Sequence, residues 1–541
     1  MSSRSSYPPD FRGTFRTDDA ARAVYAEAAG IGRILPRAVA VPSSPDDVAA
    51  LLRWANRDGH PIIARGSGSS MASGAIGDGI VVDLSRLRDL GAPDVDGRCI
   101  RAAAGVLAAE VQRRAAGSGL RFPVDPSSGE FCTIGGMAAT NAAGPHSLRH
   151  GAMRPWVLAL ECVFVDGSRA TIRRGAEPPV DIGPLRRFMQ TVHPELLRAQ
   201  NSSVGEVLKN SSGYAVDVYG QTHELVDLLV GSEGTLALFT AVEVALAPAP
   251  SGAASLFVAF RDLERAVEAA VASRETTTVA ACELLDRTFL TLAAEAGRPL
   301  PAPPDAEAAL LLDVEDLSPA RALAGAEALR DRFRSMGAVT AILAAGSSHE
   351  AELWTLRHAA SPAIAKLDPL LRSMQFIEDA AVPPRSLAAY VRGVRNILSR
   401  YDTRGVIFGH AGDAHVHVNP LVDTRRTDWR ERVEGILVAV TELVAELGGT
   451  LSGEHGDGRL RTPLLDRVWR PDELRLFAAI KGAFDPSNLL NPGVKVPLPG
   501  QRAVDVIKYD PQLKRHPETA AAALATVERE RAYARHRLDL L

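Results

Sequence analysis

Cysteine is scarce: Cys99, Cys132, Cys162 and Cys282 are the only four in 541 residues, and no two form a C-x-x-C pair. That spacing excludes an iron–sulfur or zinc centre built on cysteines of this chain and a disulfide scaffold, and it fits a reducing compartment. An excess of one charge is also missing. Lys+Arg number 61 against Asp+Glu 65, a formal net charge of −4, so no global field would grip a phosphate backbone and no nucleic-acid partner is expected. Lysine is rare, at positions 209, 366, 481, 495, 508 and 514, a skew toward arginine read as coding bias without functional weight. No uncharged apolar run reaches the ~18 residues of a membrane span, and the N-terminus MSSRSSYPPDFRGTF has no apolar signal core. The expectation is a cytoplasmic protein, or one peripheral on the inner face of the membrane.

What remains is ordinary globular material, 46% hydrophobic and 23% charged, enough for more than one core. Up to about Pro248, short β-rich runs such as PIIARG, GIVVDLS and LALECVFVDG are broken by Gly/Ser/Pro turns, which reads as α+β rather than a repeated βαβ pattern. After APAPSG, helix-length runs such as LERAVEAAVASRE alternate with strands such as AALLLDVE and AVTAILAA, predicting an antiparallel sheet with helices on one side. The divisions expected are 1–247, 248–440, a helical segment 441–497, and a polar tail 498–541.

Two glycine-rich segments stand out. The strand around Ile62 and Ile63 runs into Arg65-Gly66-Ser67-Gly68-Ser69-Ser70, a loop of amides without Cβ obstruction, suited to a diphosphate or simply to a tight turn. Met71 falls where a dinucleotide fingerprint needs its third glycine, so that reading fails. Farther on, Thr133-Ile-Gly135-Gly136-Met-Ala-Ala-Thr140-Asn141-Ala-Ala-Gly144 allows backbone to approach something flat.

Three of the 13 histidines lie in Gly409-His410-Ala-Gly-Asp-Ala-His415-Val-His417-Val-Asn419. An apolar run, a turn and an alternating run predict a hairpin with His415, His417 and Asn419 on one face and His410 at the opposite lip. Downstream, Gly453-Glu454-His455-Gly456 adds a carboxylate and an imidazole. Two histidines and one glutamate with room for substrate make a catalytic divalent-metal set.

Together these segments resemble the vanillyl-alcohol-oxidase type of flavoprotein, in its branch of FAD-linked D-2-hydroxyacid dehydrogenases, over about Phe11 to Lys495. The resemblance implies an α+β fold with an FAD-binding domain of that type and an antiparallel-sheet α+β cap. It places FAD on Arg65, Gly66, Ser67, Gly68, Ser69, Ser70, Thr133, Gly135, Gly136, Thr140, Asn141, Gly144, Glu233, Gly234 and Asn491. Some relatives attach FAD through a histidine in the first loop; Ser69 stands there, so FAD is expected to be non-covalent. The resemblance further implies His410, His417 and Glu454 as ligands of a divalent metal, Zn or Mn, and His455 as general base. Asn419 is expected to touch substrate, and Arg357, in Leu353-Trp354-Thr-Leu-Arg357, to hold its carboxylate. Ala414 and His415 depart from the family pattern; His415 is read as a bystander or substrate contact in preference to an extra ligand. Asp379 is given no role.

The implied activity is oxidation of a D-2-hydroxy acid to the 2-oxo acid by hydride transfer to flavin. The alternatives are a flavin-binding subunit of a larger iron–sulfur complex and an alditol or aldonolactone oxidase. Electrons are expected to leave for an iron–sulfur subunit, an electron-transfer flavoprotein or a quinone.

Overall fold

A computed structural model describes residues 7–198, 204–295, 297, 301–346, 350, 352–355, 371–505 and 507–541. In the first lobe, the strands Thr14–Arg16, Ala38–Val41, Ile80–Asp83 and Ile62–Arg65 form a mixed sheet in that order. Ile80–Asp83 pairs in parallel with both Ala38–Val41 and Ile62–Arg65. The parallel part exists because the helix Pro45–Asp58 crosses over between the two outer strands. Ser44 caps its start by accepting from the Asp47 amide, Pro45 opens the first turn, and Gly59 ends it in the left-handed region at φ 76°. Its buried face carries Val48, Leu51, Leu52, Trp54 and Ala55. A reading of strands separated only by turns overlooked this helix. A second, wholly antiparallel sheet follows, with Cys99–Ala103, Leu238–Ala245, Val157–Val163 and Arg169–Arg173 in order.

The cap is a seven-stranded antiparallel sheet, ordered Thr340–Ala345, Gly252–Phe260, Ala308–Asp316, Val279–Asp286, Arg404–Gly409, His417–Asp423 and Leu371–Ser373. Strand alternation divides its apolar residues between two faces. Leu256, Val258, Leu310 and Leu312 join the main core under the helices Leu263–Ser273 and Pro319–Ser335. The other face, with Phe257, Ala259, Leu285, Leu311 and Val406, is covered by Phe289 and Leu292 of the helix Arg287–Glu295. Helices therefore lie on both sides of this sheet, not on one. The second face matters for function, because Phe408 pairs with His417 and Val406 with Asn419 across the ladder. Residues directly opposite share a face, so the histidine strand opens toward the first lobe from this side.

After the helix Pro471–Phe484 the chain returns to the first sheet, where the Ile62 amide donates to the Leu489 carbonyl and the Asn491 amide to that of Ile62. The described polar residues beyond Pro497 are folded. The helix Glu518–Glu530 buries Ala520 and Ala523 against Val24, Tyr25 and Ile63. No helix among the described residues is long and apolar enough to cross a membrane.

Candidate active site

A cavity of about 920 Å³ lies between the lobes. One end is walled by Arg65 to Met71, the middle by Thr133, Gly135, Gly136, Thr140, Gly144, Glu233 and Gly234. Phe408, His410, His417, Asn419, Glu454 and His455 close the other end.

The first loop owes its shape to Arg65, whose guanidinium turns under it and donates to the carbonyls of Glu27 at 3.0 Å, Ala75 at 3.3 Å and Tyr25 at 3.5 Å. Arg65 thus props the loop from below. Gly68 lies above it at φ 77°, where a Cβ would sit 2.2 Å from the guanidinium. Among the described residues, the amides of Ser67, Gly68 and Ser69 find no protein acceptor, and amides left open in a concave loop are the donor set an anionic diphosphate requires. Thr133 caps the helix Ile134–Thr140 by accepting from the Gly136 amide at 3.2 Å, which aims that helix's start into the cavity.

Three residues expected to touch the cofactor do other work with their side chains. Asn141 is the left-handed C-cap of that helix and accepts from the Arg154 amide at 2.9 Å; it does not line the cavity. Neither does Asn491, whose amide group donates to the carbonyls of Gly74 and Glu233 at 3.0 and 2.7 Å, tying loops together. Glu233 reaches the cavity wall, but its carboxylate accepts from the amides of Asp457 and Gly458 and pairs with Lys495 at 3.0 Å. It thereby anchors the loop that carries Glu454 and His455.

At the cap end, Glu454 Oε1 stands 3.2 Å from His410 Nε2 and 3.5 Å from His417 Nε2. Ligands held 2.0–2.1 Å from a tetrahedral ion are about 3.3 Å apart, a spacing each Glu454–histidine pair meets, while the close-set ligand atoms form two groups that share Glu454, one with His410 and His415 and one with Asp379, His417 and His455. The outward sides of the same groups are fixed. His410 Nδ1 donates to Glu283 at 2.5 Å, His417 Nδ1 donates to the Glu378 carbonyl at 2.8 Å, and Lys209 donates to Glu454 Oε2 at 3.0 Å. A carboxylate or carbonyl behind each histidine fixes its ring with Nε2 aimed inward, the usual support of metal-binding imidazoles. Burial opposes ionisation of Glu454, but Lys209 and His410 outweigh it and hold the carboxyl well below its ordinary range.

His415 takes no place on the cavity wall. It precedes the strand, is fully buried, and donates from Nε2 to Asp379 at 3.0 Å while its Nδ1 faces Lys209 at 3.5 Å. Burial lowers its pKa to about 4. The residue before it, Ala414, sits at φ 55°, ψ 34°, the left-handed region where the family motif has glycine.

Asp379, to which the sequence reading assigned nothing, is the hub of the site. It accepts from His415, from Ser452 Oγ at 2.6 Å and from the His455 amide at 2.9 Å, and it faces Arg461. It lies in a turn beside Glu378. Glu378, paired with Arg461, holds His455 Nδ1 at 3.1 Å. Burial pushes the His455 pKa down, but Asp379 and Glu378 push it up further, to about 9. Its ring lies parallel to that of His417 at 5.3 Å. Buried lysines also carry structure here, contrary to the reading of lysine as compositional: Lys495 bridges Asp457 and Glu233, and Lys481 pairs with Asp485.

Asp379→Asn should destabilise the fold by about 2–4 kcal/mol, because it removes one of the two buried carboxylates that face His455 and Arg461 and weakens the acceptor for His415, Ser452 and the His455 amide. A fall in the denaturant midpoint with unchanged slope would show it; a midpoint equal to wild type would remove Asp379 from the centre of this network.

Arg357 lies outside the described residues. Two residues of its motif are visible: Leu353 is buried, and Trp354 donates from its indole to Ser255 Oγ at 3.1 Å and stacks on His146.

A loop of open amides at one end of the cavity facing a buried cluster of histidines and carboxylates at the other is an arrangement suited to a flavoprotein oxidoreductase. The comparisons agree. Residues 36–173 match the FAD binding domain family, and residues 249–494 match the C-terminal domain of FAD linked oxidases. D-lactate dehydrogenase of Archaeoglobus fulgidus is 30% identical over 85% of this chain and 92% of its own length. Glycolate oxidase subunit GlcD of Bacillus subtilis is 29% identical over 88% of this chain and 93% of its own. Among solved structures, 4-ethylphenol oxidase from Gulosibacter chungangensis superposes with a TM-score of 0.63 at 15% identity, covering 89% of this chain and 94% of that one. The chain belongs to the family of FAD-linked oxidases and dehydrogenases that includes these D-lactate and glycolate enzymes.

Proposed function

We propose that the protein oxidises a D-2-hydroxy acid to the corresponding 2-oxo acid. The observation that carries this reading is the Glu454 carboxylate set between His410 and His417, with His455 alongside, at the end of the cavity away from the diphosphate loop. FAD supplies the two-electron acceptor when bound. A divalent cation, Zn or Mn, would be held by His410, His417 and Glu454 and would supply Lewis acidity toward a hydroxyl. His455, with Nδ1 fixed by Glu378, presents Nε2 to the cavity and takes the hydroxyl proton. The carboxylates beside it favour the imidazolium; occupancy of Glu454 Oε1 by a cation, 3.9 Å from Nε2, would shift His455 back toward the neutral form a base requires. Asn419, two positions along the strand from His417, would contact substrate, and Arg357 would bind its carboxylate through a planar fork. A screen of D- and L-2-hydroxy acids with a dye acceptor tests the assignment: activity confined to D-isomers supports it, and activity only on alditols or lactones overturns it.

Ser69 and its neighbours offer no histidine for covalent attachment, so acid precipitation should release all the FAD into the supernatant. Yellow colour retained in the pellet would contradict this.

Electrons would leave for a separate acceptor, an iron–sulfur subunit, an electron-transfer flavoprotein or a quinone. The four cysteines are free, and Cys132, Cys162 and Cys282 are buried well apart from one another in sequence. Turnover should therefore be much faster with a dye or quinone than with air. Hydrogen peroxide formed as fast as dye is reduced would make the protein an oxidase.

A further inference from the structure

The C-terminal segment, outside both matched family regions, reaches the cofactor cavity. Tyr509, Arg531 and Tyr533 line it, the first near Arg372 of the cap and the last two at the diphosphate end. The approach is built, not casual. Arg531 ends the helix Glu518–Glu530 in the left-handed conformation at φ 52° and lays its guanidinium over Phe131 at 5.2 Å. The Phe131 and Tyr533 rings meet at 5.3 Å, and Arg537 stacks on the other aromatic neighbour, Tyr533, at 5.2 Å. A non-glycine residue held in that region is strained, and such strain persists where the surroundings enforce it.

Charge beneath the loop makes a second, independent argument. Arg537 is 3% exposed and Arg65 2%, and Arg537 donates to the Ser67 carbonyl at 3.4 Å from under the same loop that Arg65 props. The Nε atoms of both guanidiniums are buried with no hydrogen-bond partner. The carboxylate facing both is Asp83, already engaged by Tyr25 Oη at 2.6 Å and the Ser85 amide at 2.9 Å. Two buried cations against one shared carboxylate leave net positive charge under a loop whose amides are open, an arrangement stabilised by an anion.

We propose that the C-terminal segment is part of the FAD site: Arg531 and Tyr533 close the cavity over the diphosphate and adenylate half of the cofactor, and Arg537 joins Arg65 in supplying the positive field beneath it. Glu528, on the same wall, is an acceptor of the kind a ribose hydroxyl needs. The proposal rests on FAD being the cofactor, and the test separates the two. Flavin-stripped full-length protein is titrated with FAD and with FMN, reading flavin fluorescence, for wild type, for the double variant Arg531→Ala/Tyr533→Ala, and for Arg537→Gln. The double variant should still fold cooperatively when flavin-free, yet bind FAD at least about tenfold more weakly, the worth of one charge-assisted hydrogen bond. Its FMN affinity should be unchanged, so that the preference for FAD narrows. Arg537→Gln should weaken FAD in the same direction. An FAD affinity equal to wild type in the double variant overturns the proposal, whether or not Arg537→Gln folds. Failure of wild-type protein to bind FAD would instead overturn the cofactor reading itself.

Discussion

Replacing His417 with alanine is expected to lower kcat/KM for the best 2-hydroxy acid by about a thousandfold or more, some 4 kcal/mol of transition-state stabilisation, while FAD remains bound. The effect is large because His417 Nε2 and His410 Nε2 both face one Glu454 oxygen, so loss of either imidazole would remove a ligand from the proposed cation. It is specific because His417 is on the cap sheet and the diphosphate loop is on the first lobe. Metal content and flavin absorbance measured on the same preparation would show it: metal lost, flavin kept. A variant that keeps its metal and turns over normally would remove His417 from the site.

His455→Gln is the second large effect. A positioned base contributes roughly 10²- to 10⁴-fold, and glutamine keeps the approximate size while abolishing proton uptake. Reduction of the bound flavin by substrate should slow by that factor with metal and FAD content unchanged. Equal rates would transfer the proton to another group, and Glu378, which lines the same wall, would become the candidate.

The parts of the site that were legible in the sequence are those in which one short segment supplies both a backbone shape and its chemical groups. The loop Arg65 to Ser70, the run Thr133 to Gly144, the histidine hairpin and Gly453 to Gly456 are of this kind, and each reaches the cavity. What the sequence concealed comes as single residues from distant segments. Lys209 meets Glu454 across 245 positions, and Glu283 meets His410 across 127. Neither has neighbours whose spacing announces a role, and a buried lysine looks like any other lysine until its carboxylate partner is placed.

Asp379 was hidden for a related reason: its task is to accept from imidazoles and amides of two other segments, which no local pattern records. Asn141 and Asn491 show the reverse case, side chains whose structural work no motif announces. Both belong to motifs that approach the cofactor, yet one caps a helix and the other stitches loops with its side-chain amide. In the fold, the helix Pro45–Asp58 and the burial of Ala520 and Ala523 depended on tertiary packing, which turned a turn-rich stretch into a crossover and a polar tail into a docked helix.

The most direct test of the account is the reduction of bound FAD, followed by absorbance under anaerobic mixing with a D-2-hydroxy acid, before and after removal of metal by a chelator. The account predicts rapid bleaching by the D-isomer and not the L-isomer, loss of bleaching in the metal-free protein that still holds FAD, and recovery on adding Zn²⁺ or Mn²⁺. Bleaching at the same rate in metal-free protein would contradict the role given to His410, His417 and Glu454, and bleaching by neither isomer would contradict the activity itself.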